Sequence, residues 1–90
     1  MPDEIRPLTI LYFAWLRERV GTGEESVVVP HDVGTVGELV VWLARRSPRH
    51  AAAFENRRTI RCAVNQDFAD SDAPIRPGDE VAFFPPVTGG

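Results

Sequence analysis

No lysine occurs in this sequence; all ten basic residues are arginine. That absence removes Schiff-base chemistry and the lysine of a P-loop, and it leaves no lysine side chain on which the chain could itself be conjugated. Cysteine is nearly as scarce, with Cys62 alone. One thiol makes no internal disulfide and no cysteine metal cluster, in keeping with a reducing, cytoplasmic setting. Long apolar runs are missing too, and the opening "MPDEIRP" is acidic, so neither membrane insertion nor secretion is expected. The two histidines, His31 and His50, lack ligand spacing. Zinc needs three or four convergent ligands, so both are expected in surface or capping roles and no metal is expected. Cys62 sits between Ile60 and Val64 in alternation and reads as a small core residue. Ser-His-Asp sets, glycine-rich phosphate loops and paired carboxylates are all absent.

What is present is one domain's worth of chain. Ninety residues at 43% hydrophobic and 26% charged support a single compact unit with a modest core. Ten arginines against thirteen acids give a formal charge of -3, which disfavours nucleic acid as the main partner.

Local patterns alternate between sheet and helix. "LTILYFA" is apolar on both alternating sets, Leu8, Ile10 and Tyr12 on one and Leu11 and Phe13 on the other, and predicts a strand covered on both faces. "WLRERVG" predicts a turn or two of helix closed by Gly21. "ESVVVP" is a β-branched strand stopped by Pro30, able to pair with the first as an antiparallel hairpin. In "TVGELVVWLARRSP", Thr35 and Glu38 have capping-box spacing, and Val36, Leu39, Val40 and Leu43 recur with helical period. Arg45 and Arg46 are expected in its last turn, and Pro48 at its end. "RHAAAFE" adds a short irregular or helical piece, "TIRCAVN" an alternating strand, and "IRPGDEVAFFP" a Pro-Gly-Asp turn leading into a last strand. The acids Asp67, Asp70, Asp72, Asp79 and Glu80 fall in turn-forming sequence. The order strand, strand, helix, strand, strand predicts an α+β fold of β-grasp type, a mixed sheet with one main helix packed on one face. Residues 1–84 are expected to form the domain and residues 85–90 a flexible tail.

The tail carries the chemistry. Pro85 and Pro86 lack amide donors, so they end sheet pairing and lead the chain away in a stiff extended form. Val87 to Gly90 then reach about 13 to 14 Å when fully extended. Gly89 and Gly90 carry no Cβ, which lets the backbone thread a channel closed to larger residues and leaves a terminal carboxylate unshielded.

"LYFAWLRERVG", "AVNQDF" and "RPGDEVAFFPPVTGG" together resemble the small, sulfur-carrying subunits of molybdopterin synthase, a ubiquitin-like family. The likeness spans nearly the whole chain, and the Phe-Phe-Pro-Pro run separates it from the thiamine sulfur carriers, which share the Gly-Gly end. Arg19 departs from the apolar residue common there. The resemblance implies that the carboxylate of Gly90, with Gly89 beside it, is adenylated by an enzyme of ubiquitin-activating type using ATP. A thiocarboxylate then forms and donates sulfur to cyclic pyranopterin monophosphate. It further implies docking on a large catalytic subunit, in a heterotetramer, through Phe13, Arg17, Phe68 and Phe84 and the tether Pro85, Pro86, Val87 and Thr88. The chain itself would bind no cofactor and be inactive alone. A sulfur carrier for thiamine or another pathway, a protein modifier forming isopeptide bonds through Gly90, and an interaction module with an inert tail stand as alternatives.

Overall fold

A computed structural model describes residues 6–86. The chain runs β1 (Leu8–Tyr12), α1 (Trp15–Val20), β2 (Glu24–Val27), α2 (Val36–Ala44), α3 (Pro48–Ala53), a 3-10 turn (Arg57–Thr59), β3 (Arg61–Val64), β4 (Asp67–Ala69) and β5 (Glu80–Phe84). The five strands form one sheet in the order β2-β1-β5-β3-β4. β1 and β5 run parallel at its centre, and the other neighbouring pairs are antiparallel. This is the mixed sheet of a β-grasp, with the helices on one side.

Period-two alternation decides which residues line the core. Leu8, Ile10 and Tyr12 of β1 and Val81 and Phe83 of β5 are buried beneath the helices. The other set of β1, Thr9 and Leu11, is only half covered, so the strand is buried on one face and not on both as its composition suggests. A single helical layer covers one side of a sheet, and the opposite side stays open. α2 contributes Val36, Leu39, Val40 and Leu43, the stripe its periodicity predicts, and Leu16, Val20, Val27, Ala53, Phe54, Cys62 and Ile75 complete the core. Tyr12, Phe54 and Phe83 interlock, with Phe54 edge-on to Phe83 at 5.1 Å and Tyr12 stacked on Phe83 at 6.2 Å. At about 1.5 to 3 kcal/mol per fully buried large apolar side chain, this cluster dominates the domain's stability.

The caps follow the sequence closely. Thr35 Oγ accepts the Glu38 amide at 3.2 Å, while Glu38 Oε1 accepts from the Gly34 amide at 2.8 Å, one residue before the usual capping-box partner. Gly21 closes α1 in the left-handed conformation at φ 97°. Gly78, at φ 90°, completes the turn in which the Asp79 amide donates to the Arg76 carbonyl at 3.0 Å.

Four local expectations are corrected. β2 ends at Val27, three residues before Pro30, and leaves Val28 57% exposed. α2 ends at Ala44, so Arg45 is its C-cap and Arg46 lies beyond it, 3.6 Å from Glu25 on β2. Pro48 does not terminate α2; it is the first residue of α3, where its fixed φ suits helix initiation, and Ser47 caps that helix by accepting the His50 amide at 3.1 Å. Asp67 and Glu80 belong to strands and not to turns: Asn65 and Gln66, at φ 50° and 72°, make a two-residue hairpin connection that places Asp67 in β4, and Glu80 opens β5 opposite Thr9.

Candidate functional site

The open face of the sheet holds the exposed aromatics. On β5, alternation sends Phe83 inward, at 1% exposure, and its neighbour Phe84 outward. Phe68, on the edge strand β4, is 83% exposed, and its ring lies 6.0 Å from that of Phe84. Between them in the sheet is β3, whose Arg61 pairs with Phe84 and whose Ala63 pairs with Phe68. A small residue at 63 leaves room for the two rings to approach over the strand. Phe13 follows β1 and is 49% exposed. Its amide donates to the Phe83 carbonyl at 3.1 Å, which carries the parallel register one step past Tyr12 and Phe83 and sets Phe13 beside Phe84 in the sheet. Three of the predicted docking residues thus share one region of the open face.

Ala14, directly after Phe13, has φ 57° and ψ -132°, a conformation that only glycine adopts without strain. The reversal it imposes turns the chain out of β1 into α1 immediately beyond Phe13. Arg17, by contrast, is not gathered with the aromatic pair. It is exposed on α1, and its side chain runs over Gly23, where an added Cβ would meet Arg17 Nε at 3.2 Å. Arg19 lies over the Trp15 ring at 4.8 Å, a cation–π contact that gives this cation a place on α1.

β5 ends at Phe84, and Pro85 and Pro86 follow, half exposed and outside the sheet. The chain therefore leaves the domain beside the aromatic pair. Val87, Thr88, Gly89 and Gly90 lie outside the described residues.

A polar cluster that the sequence did not signal lies on the opposite side. Glu25 Oε2 accepts from the Tyr12 hydroxyl at 2.6 Å and from His50 Nε2 at 2.8 Å. Burial alone would raise the Glu25 carboxyl, but the hydrogen bonds from Tyr12 and His50 and the charges of His50 and Arg46 hold it below its ordinary value of 4.5. The Ser47 hydroxyl accepts the His50 amide at 3.1 Å and lies 2.7 Å from His50 Nδ1, so both ring nitrogens of His50 are engaged, one by Ser47 and the other by Glu25. His50 is therefore a half-buried strut between α3 and β2, where a surface or capping side chain was expected. Its partner lies 25 residues away, a separation no local pattern reveals. Cys62 is in the core at 7% exposure, and burial pushes its thiol up to about 12, too high for a nucleophile near neutrality. Among the described residues, no group of three or more His, Cys, Asp or Glu side chains is arranged to hold a metal, and no helix is long and apolar enough to cross a membrane.

The mixed five-stranded sheet with its helices on one side is a ubiquitin-like β-grasp domain. The sequence profile of the ThiS family matches residues 10–90. The molybdopterin synthase sulfur carrier subunit of Escherichia coli is 46% identical over 83 residues, covering 92% of this chain and 99% of that one. Its Homo sapiens counterpart is 33% identical over 84 residues, covering 90% and 91%. Among solved structures, H. volcanii small archaeal modifier protein 1 superposes with a TM-score of 0.72 at 30% identity, covering 91% of this chain and 99% of that chain. The chain belongs to the ThiS family, among the molybdopterin synthase sulfur carrier subunits.

Proposed function

We propose that this chain carries sulfur for a molybdopterin synthase and is inert without its partners. The observation that carries the proposal is the 46% identity to the E. coli sulfur carrier subunit across 99% of that protein's length. The described geometry supports it, since β5 delivers Pro85 and Pro86 from the sheet beside Phe68 and Phe84. A partner seated on those rings would meet the start of the tail.

In this reading the Gly90 carboxylate attacks the α-phosphorus of ATP on an adenylating enzyme of ubiquitin-activating type, and pyrophosphate leaves. A carboxylate is a poor electrophile because its charge is delocalised; the acyl-adenylate has AMP as a leaving group. A sulfur nucleophile displaces AMP and gives the thiocarboxylate. The large synthase subunit, in a heterotetramer, then receives the tail; the thiocarboxylate sulfur displaces an oxygen from a carbon of cyclic pyranopterin monophosphate, and water cleaves the acyl–sulfur bond, which leaves the sulfur on the pterin and returns Gly90 to the carboxylate. Gly89 keeps the approach narrow, and a closed channel protects the activated acyl groups from water. ATP is used by the activating enzyme, and the carrier itself needs no cofactor.

Intact-mass measurement after incubation with the activating enzyme, ATP and a sulfur source tests this directly. One oxygen should be replaced by sulfur at the C-terminus; an unchanged mass would sink the proposal. A second reading, protein modification through Gly90, draws on the similarity to small archaeal modifier protein 1. Covalent adducts on target lysines in cell extract would favour it.

A further inference from the structure

We infer that Arg57, Arg58 and Arg61 form a cationic rim to the aromatic face, and that the partner protein receiving the tail carries carboxylates opposite them. The inference rests on the docking reading above and adds the chemistry of the partner's surface.

Charge is segregated along this chain. Six of the ten arginines fall within residues 45–61 with a single acid, Glu55, although the whole chain has thirteen acids and a net charge of -3. Two of the six have structural work: Arg46 pairs with Glu25 and lies over Trp42 at 5.0 Å, and Arg49 donates to the carbonyls of Arg19 and Glu18 at 3.1 and 3.3 Å. Arg57, Arg58 and Arg61 are exposed, and among the described residues none of them forms an ion pair with a carboxylate. They are held together, since Arg61 Nη1 donates to the Arg58 carbonyl at 3.4 Å and Arg57 and Arg61 line one apolar hollow under the β3–β4 edge with Val40, Phe54 and Cys62.

Arg61 ties the group to the docking face, since Arg57 and Arg58 lie in the 3-10 turn that leads into β3. Arg61 pairs with Phe84 across the ladder and shares a shallow hollow with Phe68, Ala69 and Phe84. Asp70, the acid bordering both hollows, already accepts the Asp72 amide at 3.0 Å. An apolar centre with a charged border is the common anatomy of a protein interface, and the arginine fork matches a carboxylate geometrically. Three mutually repelling cations without partners gain little in water; opposite an acidic surface they steer encounter and fix orientation. The acid-rich remainder of the chain opposes a polyanion as broad as nucleic acid.

The test is titration of the full chain with the large synthase subunit, comparing the parent with the triple variant Arg57→Glu, Arg58→Glu, Arg61→Glu. Affinity should fall roughly tenfold to a hundredfold at about 50 mM salt, and by less than about threefold at about 0.5 M, because screening erases rim electrostatics. The parent's own affinity should weaken with salt more steeply than the variant's. Equal binding of parent and triple variant at both salt levels would overturn the inference. If the triple variant melts early, Arg61→Gln alone carries the test: a loss of about threefold at low salt supports the rim, and none overturns it. Phe68→Arg separates the two layers of argument. Loss of binding in Phe68→Arg with full binding in the triple variant leaves the docking reading intact and removes the rim, whereas full binding in both removes both. Capture of duplex DNA by the parent but not by the triple variant, at unchanged subunit affinity, would assign these arginines to phosphate and also overturn it.

Discussion

Phe83 and Phe84 are consecutive on β5 and lie on opposite sides of the sheet, the first 1% exposed against Tyr12 and Phe54, the second facing Phe68 at 6.0 Å. Identical side chains one residue apart therefore occupy opposite environments, one in the core and one on the open face. Phe83→Ala should cost about 3 to 5 kcal/mol, much of the stability of so small a domain. Phe68→Arg should change stability by less than about 0.5 kcal/mol, as surface substitutions do. Yet a lost interface aromatic is worth about 2 kcal/mol or more, so binding to the large subunit should weaken roughly thirtyfold. Circular dichroism melts run beside the titration distinguish the two effects. A collapsed melting temperature for Phe68→Arg would mean that this ring is structural.

Removal of Gly89 and Gly90 should abolish sulfur transfer and leave the melting temperature within about 1 °C of the parent, because the buried core lies between Leu8 and Phe83. Thiocarboxylate formation by mass and the thermal melt are read on the same sample. Sulfur transfer by the shortened chain would place the reacting group elsewhere.

Ala14 offers a test of stored strain. Its φ of 57° with ψ -132° costs on the order of 1 to 3 kcal/mol for a residue with a Cβ. Ala14→Gly relieves that strain and gives back part of the gain through the flexibility of the unfolded chain, for a net stabilisation of about 1 kcal/mol. In a domain of this size the melting temperature should rise by about 4 to 8 °C. Ala14→Val should lower it. A destabilised glycine variant would show that the conformation is not strained in solution.

Acid should expose the role of Glu25. Its carboxyl titrates below the ordinary 4.5 in the folded protein, so its contribution to stability is fully present above that value and is lost as pH falls through the lower folded value. Glu25→Gln removes this contribution. The melting temperatures of parent and variant should differ near about pH 6 and converge as the pH falls through the lowered folded value. A constant gap across that range would show that the Tyr12–Glu25–His50 bonds do not depend on the carboxylate charge.

Much of this architecture is legible in local chemistry. Thr35 with Glu38 marks the start of α2, Gly21 the end of α1, and Pro77-Gly78-Asp79 the turn before β5, because each acts on backbone groups within a few residues of itself. β4 was not legible. Three residues, Asp67, Phe68 and Ala69, carry no strand pattern of their own, and the Asn65-Gln66 turn lacks the glycine that usually announces a two-residue hairpin. Phe68 and Phe84 could be proposed as a site only by resemblance, since what joins them is register across β3. Arg61 carries no signal in the sequence for the same reason: its neighbour Phe84 is 23 positions away in sequence and directly opposite it in the ladder.

The parallel pairing of the first strand with the last has a mechanical consequence. Tension on the segment after Phe84 pulls β5 along its own axis, and β5 is held on one flank by β1 through Thr9–Glu80, Ile10–Val81, Leu11–Ala82 and Tyr12–Phe83 and on the other by β3. Force in that direction loads both ladders in shear, so their hydrogen bonds resist together and do not unzip one by one. A pull applied beyond Phe84 is therefore shared between two ladders, and the sheet is built to bear it as a unit.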